Sequence, residues 1–141
     1  MRCVDVNVLV YAHRPESPNH ESWRTWLEAA RRAPEPLGLL SAVAVGFVRI
    51  VTHPRVFNEP TPTSVALDFV AALRASPSVI PVDPGPRHWE ILAELCASTQ
   101  ATGNRVPEAA IAAVVVENGA TLVTADRGFV RYPGLHLDHP V

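Results

Sequence analysis

Three acidic residues stand where an ionised side chain needs an explanation: Asp5 in VDVNVLVYA, Glu108 in NRVPEAAIAAVVVENG and Asp126 in ATLVTAD. Each interrupts or adjoins an apolar stretch, where a carboxylate is costly unless it is solvated, hydrogen-bonded or bound to a cation. If the three converge, their mutual repulsion raises their pKa values unless a divalent cation sits between them. Oxygen donors of this kind suit the hard cations Mg²⁺ or Mn²⁺. Such a centre lowers the pKa of water and neutralises a phosphoryl group, which is what hydrolysis of a phosphodiester requires. Asn7 and Thr124 lie close in sequence to Asp5 and Asp126 and are candidates to orient them by hydrogen bonds. Arg49, Arg55, Arg105, Arg127 and Arg131 fall on the segments expected around such a centre and are candidates to hold phosphates.

Taken singly, two of the acids have plainer readings. Glu108 just inside a helix N-terminus serves equally to offset the helix dipole, and Asp126 serves equally to cap the turn that begins DRGF. Asp5 is harder to explain that way, because Val4, Val6, Val8 and Leu9 surround it with core-forming residues. Asp83 reads as a turn residue and Asp68 as part of a polar helix face. Of the histidines, none of which shows a ligand spacing, His53 is placed to approach the centre, and His136 and His139 read as surface residues of the tail.

The elements that must position these residues alternate between strand and helix. Arg2 to Val6 reads as a buried strand, leading into a turn or short helix over Asn7 to Ala12. A loop over His13 to His20 precedes a helix over Glu21 to Arg32, with Trp23, Trp26, Leu27 and Ala30 at helical spacing. Leu37 to Leu40 reads as a strand, after which Ser41 caps a helix running toward Pro54. A loop over Arg55 to Pro62 leads to a helix over Thr63 to Ala75 and a strand over Val79 to Val82. Arg87 to Ser98 reads as a helix with Trp89, Leu92, Ala93 and Cys96 on one face. Pro107 suits the first position of a buried helix that stops at Asn118-Gly119. Ala120 to Thr124 is the next strand, and Leu135 to Leu137 a last edge strand. This alternation predicts a parallel, doubly wound α/β sheet, with Asp5 and Asp126 at carboxyl ends of strands, where such folds place their sites.

Composition narrows the chemistry further. The chain of 141 residues, 48% hydrophobic and 18% charged, predicts one domain over 1–141 with a well-formed core. A net charge of -2 provides no global attraction to a polyanion, so a nucleic-acid partner needs a local cluster of arginines. All 12 basic residues are arginine, which excludes a P-loop lysine, a Schiff base or a lysine-assisted phospho-aspartate. Cys3 and Cys96 show no metal spacing and read as buried reduced thiols. Arg2 and the apolar residues after it superficially suggest a leader peptide, but Asp5 and Asn7 break the run. Ala109 to Val116, the longest purely apolar run, is far short of the roughly 18 residues of a membrane span. The expectation is a soluble, cytoplasmic protein.

VDVNVLVYA at the start, GFVRIVTHPRVF in the middle and VPEAAIAAVVVENGATLVTADRGFVRYPGL near the end resemble the PIN-domain ribonucleases, specifically the VapC toxins of toxin-antitoxin pairs. The similarity spans nearly the whole chain. It implies a PIN-like three-layer α/β fold, a central mostly parallel sheet flanked by helices. It also implies an acidic Mg²⁺ or Mn²⁺ site, cleavage of RNA by metal-activated water, a small VapB-type antitoxin partner and a homodimer. By matching positions, Asp5 is the first metal-binding acid, Glu108 stands where an aspartate is usual, and Asp126 is the acid after the strand. This chain departs from the pattern at Gly46, where many relatives carry a further acid, and at Gly128, where others have another aspartate.

The main expectation is therefore a VapC-like endoribonuclease in which Asp5, Glu108 and Asp126 bind the metal. An alternative is a degenerate PIN domain that chiefly binds antitoxin or RNA, its site weakened at Gly46 and Gly128. A phosphatase using Asp5 as nucleophile is disfavoured by DVN in place of DxD and by the lack of lysine. Trp23 and Trp26 are the candidates for a dimer surface.

Overall fold

In the computed structural model, which describes residues 1–141, five short apolar segments pair into one sheet. They are β1 (Arg2–Val4), β2 (Leu37–Leu40), β3 (Val79–Val82), β4 (Thr121–Val123) and β5 (His136–Asp138), in the order β3-β2-β1-β4-β5. Every neighbouring pair is parallel, so each connection must cross over. Six helices carry the first three crossovers, α1 (Val6–His13), α2 (His20–Ala30), α3 (Ser41–Val51), α4 (Thr63–Arg74), α5 (His88–Thr99) and α6 (Arg105–Glu117), and a short 3-10 helix over Arg127–Arg131 carries the last. α1 packs on α2 and α3, and α3 on α4, whereas α5 packs on α6. Right-handed crossovers put these two groups on opposite faces of the sheet, giving the predicted three layers.

The chain winds outward from β1 through β2 to β3, then returns to the centre for β4 and continues to β5. The winding reverses between β1 and β4, which lie side by side with Cys3 opposite Leu122 and Val4 opposite Val123. A crevice opens beyond the carboxyl ends of two strands whose following connections diverge. Asp5 follows β1 at this point, and Thr124 to Asp126 follow β4.

β2 is buried along its whole length, as a strand covered on both faces must be. At Gly38 a Cβ would lie 2.6 Å from Cys3 Sγ and 2.9 Å from Val82 Cγ2, so the absent side chain makes room for both neighbouring strands. Thirty-three buried apolar residues form one continuous cluster around the sheet. No helix is long and apolar enough to cross a membrane.

Several local expectations are corrected. β1 ends at Val4 rather than Val6, because Asp5 caps α1 with its own carboxylate. Ser41 is the first residue of α3 and makes no capping bond; Leu40 occupies the cap. In α5 the buried face is His88, Ile91, Leu92 and Leu95, while Trp89 is 79% exposed. Reading that stripe from Trp89 placed it one residue out of phase. Pro107 is the third residue of α6, not the first, and is tolerated there because the opening N–H groups of a helix have no partner within it. Trp23 is buried and Trp26 packs against the core with the Arg2 guanidinium over its ring, so Trp23 is not available to a dimer surface. Cys3 is buried, which pushes its thiol up to about 11, whereas Cys96 is only half-buried.

Candidate active site

Asp5 sits at the joint between β1 and α1, held in extended backbone geometry that lets its carboxylate turn back onto the helix it begins. Oδ1 accepts the Val6 N–H at 2.7 Å and Oδ2 accepts the Thr124 hydroxyl at 2.8 Å. The residue is only 5% exposed. Burial, ahead of every other influence, raises its pKa from 3.8 to about 6; the Thr124 and Val6 bonds oppose the rise, and the charges of Asp126 and Glu108 add to it.

Thr124 connects the two strand ends. Its fully buried hydroxyl gives its one proton to Asp5 and accepts from Asn7 Nδ2 at 3.3 Å and from the Asp126 N–H at 2.9 Å. A hydroxyl has one donor and two acceptor positions, so all three are used. Asn7 closes the network by accepting the Ala125 N–H at 3.2 Å. Asp126 both caps a short 3-10 helix over Arg127–Arg131, accepting the Gly128 N–H at 2.7 Å, and lines the crevice. The capping and crevice readings of this residue coexist.

Glu108, in the first turn of α6, reaches the same crevice from the side. Its Oε1 accepts the Tyr132 hydroxyl at 2.8 Å and Arg131 Nη1 at 2.5 Å. Burial and donation to Glu108 push the Tyr132 hydroxyl up to about 12, so it remains a donor at any working pH. Tyr132 escaped the sequence reading. The only available signal was the rule that a buried tyrosine hydroxyl needs a polar partner, which does not say which one.

Asp5, Glu108 and Asp126 line one cavity of about 620 Å³ together with Asn7, Gly46 and Arg49. Its apolar walls include Val10, Ile50, Ile111 and Phe129. Of the arginines singled out from sequence, only Arg49 lines this cavity. Arg127 lines a separate, smaller hollow with Tyr11 and His139, Arg55 and Arg105 are exposed beside the rim, and Arg131 is paired with Glu108. His53 does not line the crevice, and His139 packs Nδ1 against the Thr124 carbonyl oxygen at 2.6 Å instead of standing free.

Arg14 is a second residue that the sequence reading missed. Its guanidinium bonds Thr61 Oγ1 at 3.0 Å and the Glu59 carbonyl at 2.9 Å and lies 4.2 Å from the Phe57 ring centre. It thereby ties the α1–α2 loop to the 55–62 loop, and Glu16 and Phe57 from these two loops both line the crevice.

The donor set fits a hard divalent cation. It offers carboxylate oxygens only, and Asp5 is a buried charge whose two neighbouring carboxylates worsen its position, a situation a cation reverses. As the side chains stand, no three carboxylate, imidazole or thiolate groups are drawn together closely enough to hold an ion; Glu108 is turned instead to Arg131 and Tyr132.

Fold and crevice together define an α/β protein with a carboxylate site at a topological switch point. The profile of the PIN domain family matches residues 2–135. Ribonuclease VapC43 of Mycobacterium tuberculosis is 46% identical over 141 residues, covering 100% of this chain and 96% of that protein. Ribonuclease VapC25 of the same organism is 37% identical over 142 residues and covers both chains completely. Among solved structures, VapBC2 from Rickettsia felis bound to a DNA fragment from their promoter aligns with a TM-score of 0.73 and 19% identity, over 97% of this chain and 96% of that one. The chain belongs to the PIN-domain family and, within it, to the VapC ribonucleases.

Proposed function

We propose that this chain is a single-domain toxin of the VapC type, a metal-dependent endoribonuclease that hydrolyses RNA phosphodiester bonds in the cytoplasm. The observation that carries the reading is the buried Asp5 carboxylate at the switch point, oriented by the same Thr124 hydroxyl that receives the Asp126 N–H. Relatives named as ribonucleases at 46% and 37% identity support it. They lend nothing to the alternative of a degenerate, purely binding domain.

Asp5, Asp126 and Glu108 would hold Mg²⁺ or Mn²⁺. When bound, such an ion supplies a water of lowered pKa and neutralises charge on the phosphodiester. Asp5 keeps a lone pair on each oxygen beyond the bonds to Val6 and Thr124, and these bonds fix its orientation without occupying it. Asp126 commits Oδ1 to Gly128 and has Oδ2 to offer. Arg49 supplies positive charge to the RNA backbone from α3, and the apolar walls limit water around the carboxylates.

A VapB-type antitoxin as inhibitor and a homodimer as working form complete the proposal. The structural neighbours VapBC2 from Rickettsia felis and VapBC from Salmonella typhimurium support the antitoxin. Incubation with structured RNA, with Mg²⁺ or EDTA, followed by mapping of new 5′ ends tests the activity. Discrete cuts that require the metal and vanish in a folded Asp5→Ala variant are expected; equal cleavage by that variant refutes the site. Co-expression with a cognate VapB-type antitoxin is expected to relieve growth arrest.

A further inference from the structure

Of the three candidate metal-binding acids, Asp5, Glu108 and Asp126, Glu108 alone meets a cation of the chain's own. Asp5 and Asp126 accept only from backbone N–H groups and a hydroxyl. Glu108 Oε1 accepts from the Arg131 guanidinium at 2.5 Å and from Tyr132 at 2.8 Å. Glu108 is half-buried and Arg131 is an exposed residue, so solvent partly screens the pair.

The space that Arg131 occupies comes from Gly128. A Cβ at residue 128 would lie 2.8 Å from Arg131 Nη2 and 2.9 Å from Asp126 Oδ1. A side chain there would crowd both groups, so the guanidinium or the Asp126 carboxylate would have to shift. The bare backbone at 128 and the Arg131–Glu108 pair are thus one arrangement, which neutralises one of the three carboxylates. Arg131 and Tyr132 take both lone pairs of Oε1. Oε2 is free, but with the carboxylate held this way Glu108 does not join Asp5 and Asp126 in a group close enough to hold an ion, so an ion must draw Glu108 away from Arg131.

We propose that Arg131, seated over Gly128, is a positioning residue that competes with the divalent cation for Glu108 and so sets the metal affinity of the crevice. This inference rests on the metal-dependent reading above. Without the cation, Arg131 and Tyr132 hold Glu108; on metal binding Glu108 exchanges Arg131 for the ion, and the guanidinium is released next to Asp126. Gly128 and Glu108 are then parts of one lowered-affinity site rather than independent losses.

Calorimetric titration with Mn²⁺ in the absence of RNA tests this on the intact protein as wild type, Arg131→Gln, Glu108→Gln and the double variant. Removing Arg131 is expected to tighten Mn²⁺ binding by roughly threefold to tenfold, as for loss of a competing half-exposed charged pair. On the Glu108→Gln background the same change is expected to alter affinity by less than about twofold. Arg131→Lys, which keeps the charge but loses the planar fork, is expected to fall between wild type and Arg131→Gln, and it replaces the latter if that variant does not fold. Equal or weaker binding by Arg131→Gln overturns the proposal, as does an equal gain on both backgrounds, which would show a general charge effect. Wild-type binding that is lost in Asp5→Asn but indifferent to Arg131 overturns this inference and leaves the metal site standing. No Mn²⁺ binding by any of the proteins overturns both.

Discussion

Asp5→Asn removes a carboxylate that folding carries out of water, and its effect on stability follows from the site's geometry. The folded-state pKa of Asp5 lies at about 6 against an ordinary 3.8, chiefly through burial. A folded value above the unfolded one means that the folded protein binds more protons between about pH 4 and about pH 6. The contribution of this carboxyl is therefore present at low pH and lost as pH rises through that window. At about 1.36 kcal/mol per pKa unit, the rise corresponds to about 3 kcal/mol of destabilisation above pH 6 in metal-free protein. Asparagine stays neutral and keeps an acceptor for Val6, but forfeits part of the Thr124 interaction at a cost of about 1 kcal/mol. The unfolding free energy of Asp5→Asn minus that of wild type is expected to run from about -1 kcal/mol near pH 4 to about +2 kcal/mol near pH 7. Urea denaturation followed by circular dichroism, in EDTA at a series of pH values, reads this difference. A flat difference, or one that falls with pH, refutes the buried-charge argument. Adding Mg²⁺ at about 100 times its Kd is expected to stabilise wild type by about 2.7 kcal/mol and the variant by much less.

Three further outcomes follow from individual contacts. Thr124→Val removes the hydroxyl shared by Asp5, Asn7 and Asp126; it is expected to cost about 1–3 kcal/mol and to move the pH-dependent loss of stability upward, read in the same denaturation series. Glu117 accepts the Gly85 and Arg87 N–H groups at 2.9 and 2.8 Å and thereby closes the start of α5; Glu117→Ala is expected to cost about 1–2 kcal/mol while Mn²⁺ affinity by calorimetry stays unchanged. Gly38→Ala forces a methyl against Cys3 Sγ and Val82 Cγ2 and is expected to destabilise by about 1–3 kcal/mol, measured as a lower urea midpoint at unchanged slope.

Much of the architecture was legible because it is written in short-range pattern. Leu37–Leu40 and Val79–Val82 begin and end where the apolar runs meet proline and polar residues, and the structure keeps those bounds. The Pro107 to Gly119 segment announced a buried helix leading into β4. Local pattern failed where a residue's role depends on a partner elsewhere. Trp89 had helical spacing with other apolar residues, yet the packing of α5 on α6 put His88 inside and left Trp89 in water. Arg127 adjoins Asp126 in sequence but points its contacts to another hollow, while Arg49, 77 positions before Asp126, lines the acidic crevice.

The sequence by itself determined the parallel α/β wrapping and the three carboxylates worth asking about, because apolar periodicity, turn residues and misplaced charges act over a few neighbouring positions; the family entered separately, through the resemblance of three motif segments. Tertiary structure alone decided how those carboxylates differ. The winding reversal between β1 and β4 lets one Thr124 hydroxyl serve Asp5 and Asp126 across 119 and 2 positions. The missing side chain at Gly128 lets Arg131 reach Glu108 across 23. Hydrogen bonds and ion pairs depend on distance in space, and the distance between residues remote in the chain is set only when the layers close on the sheet.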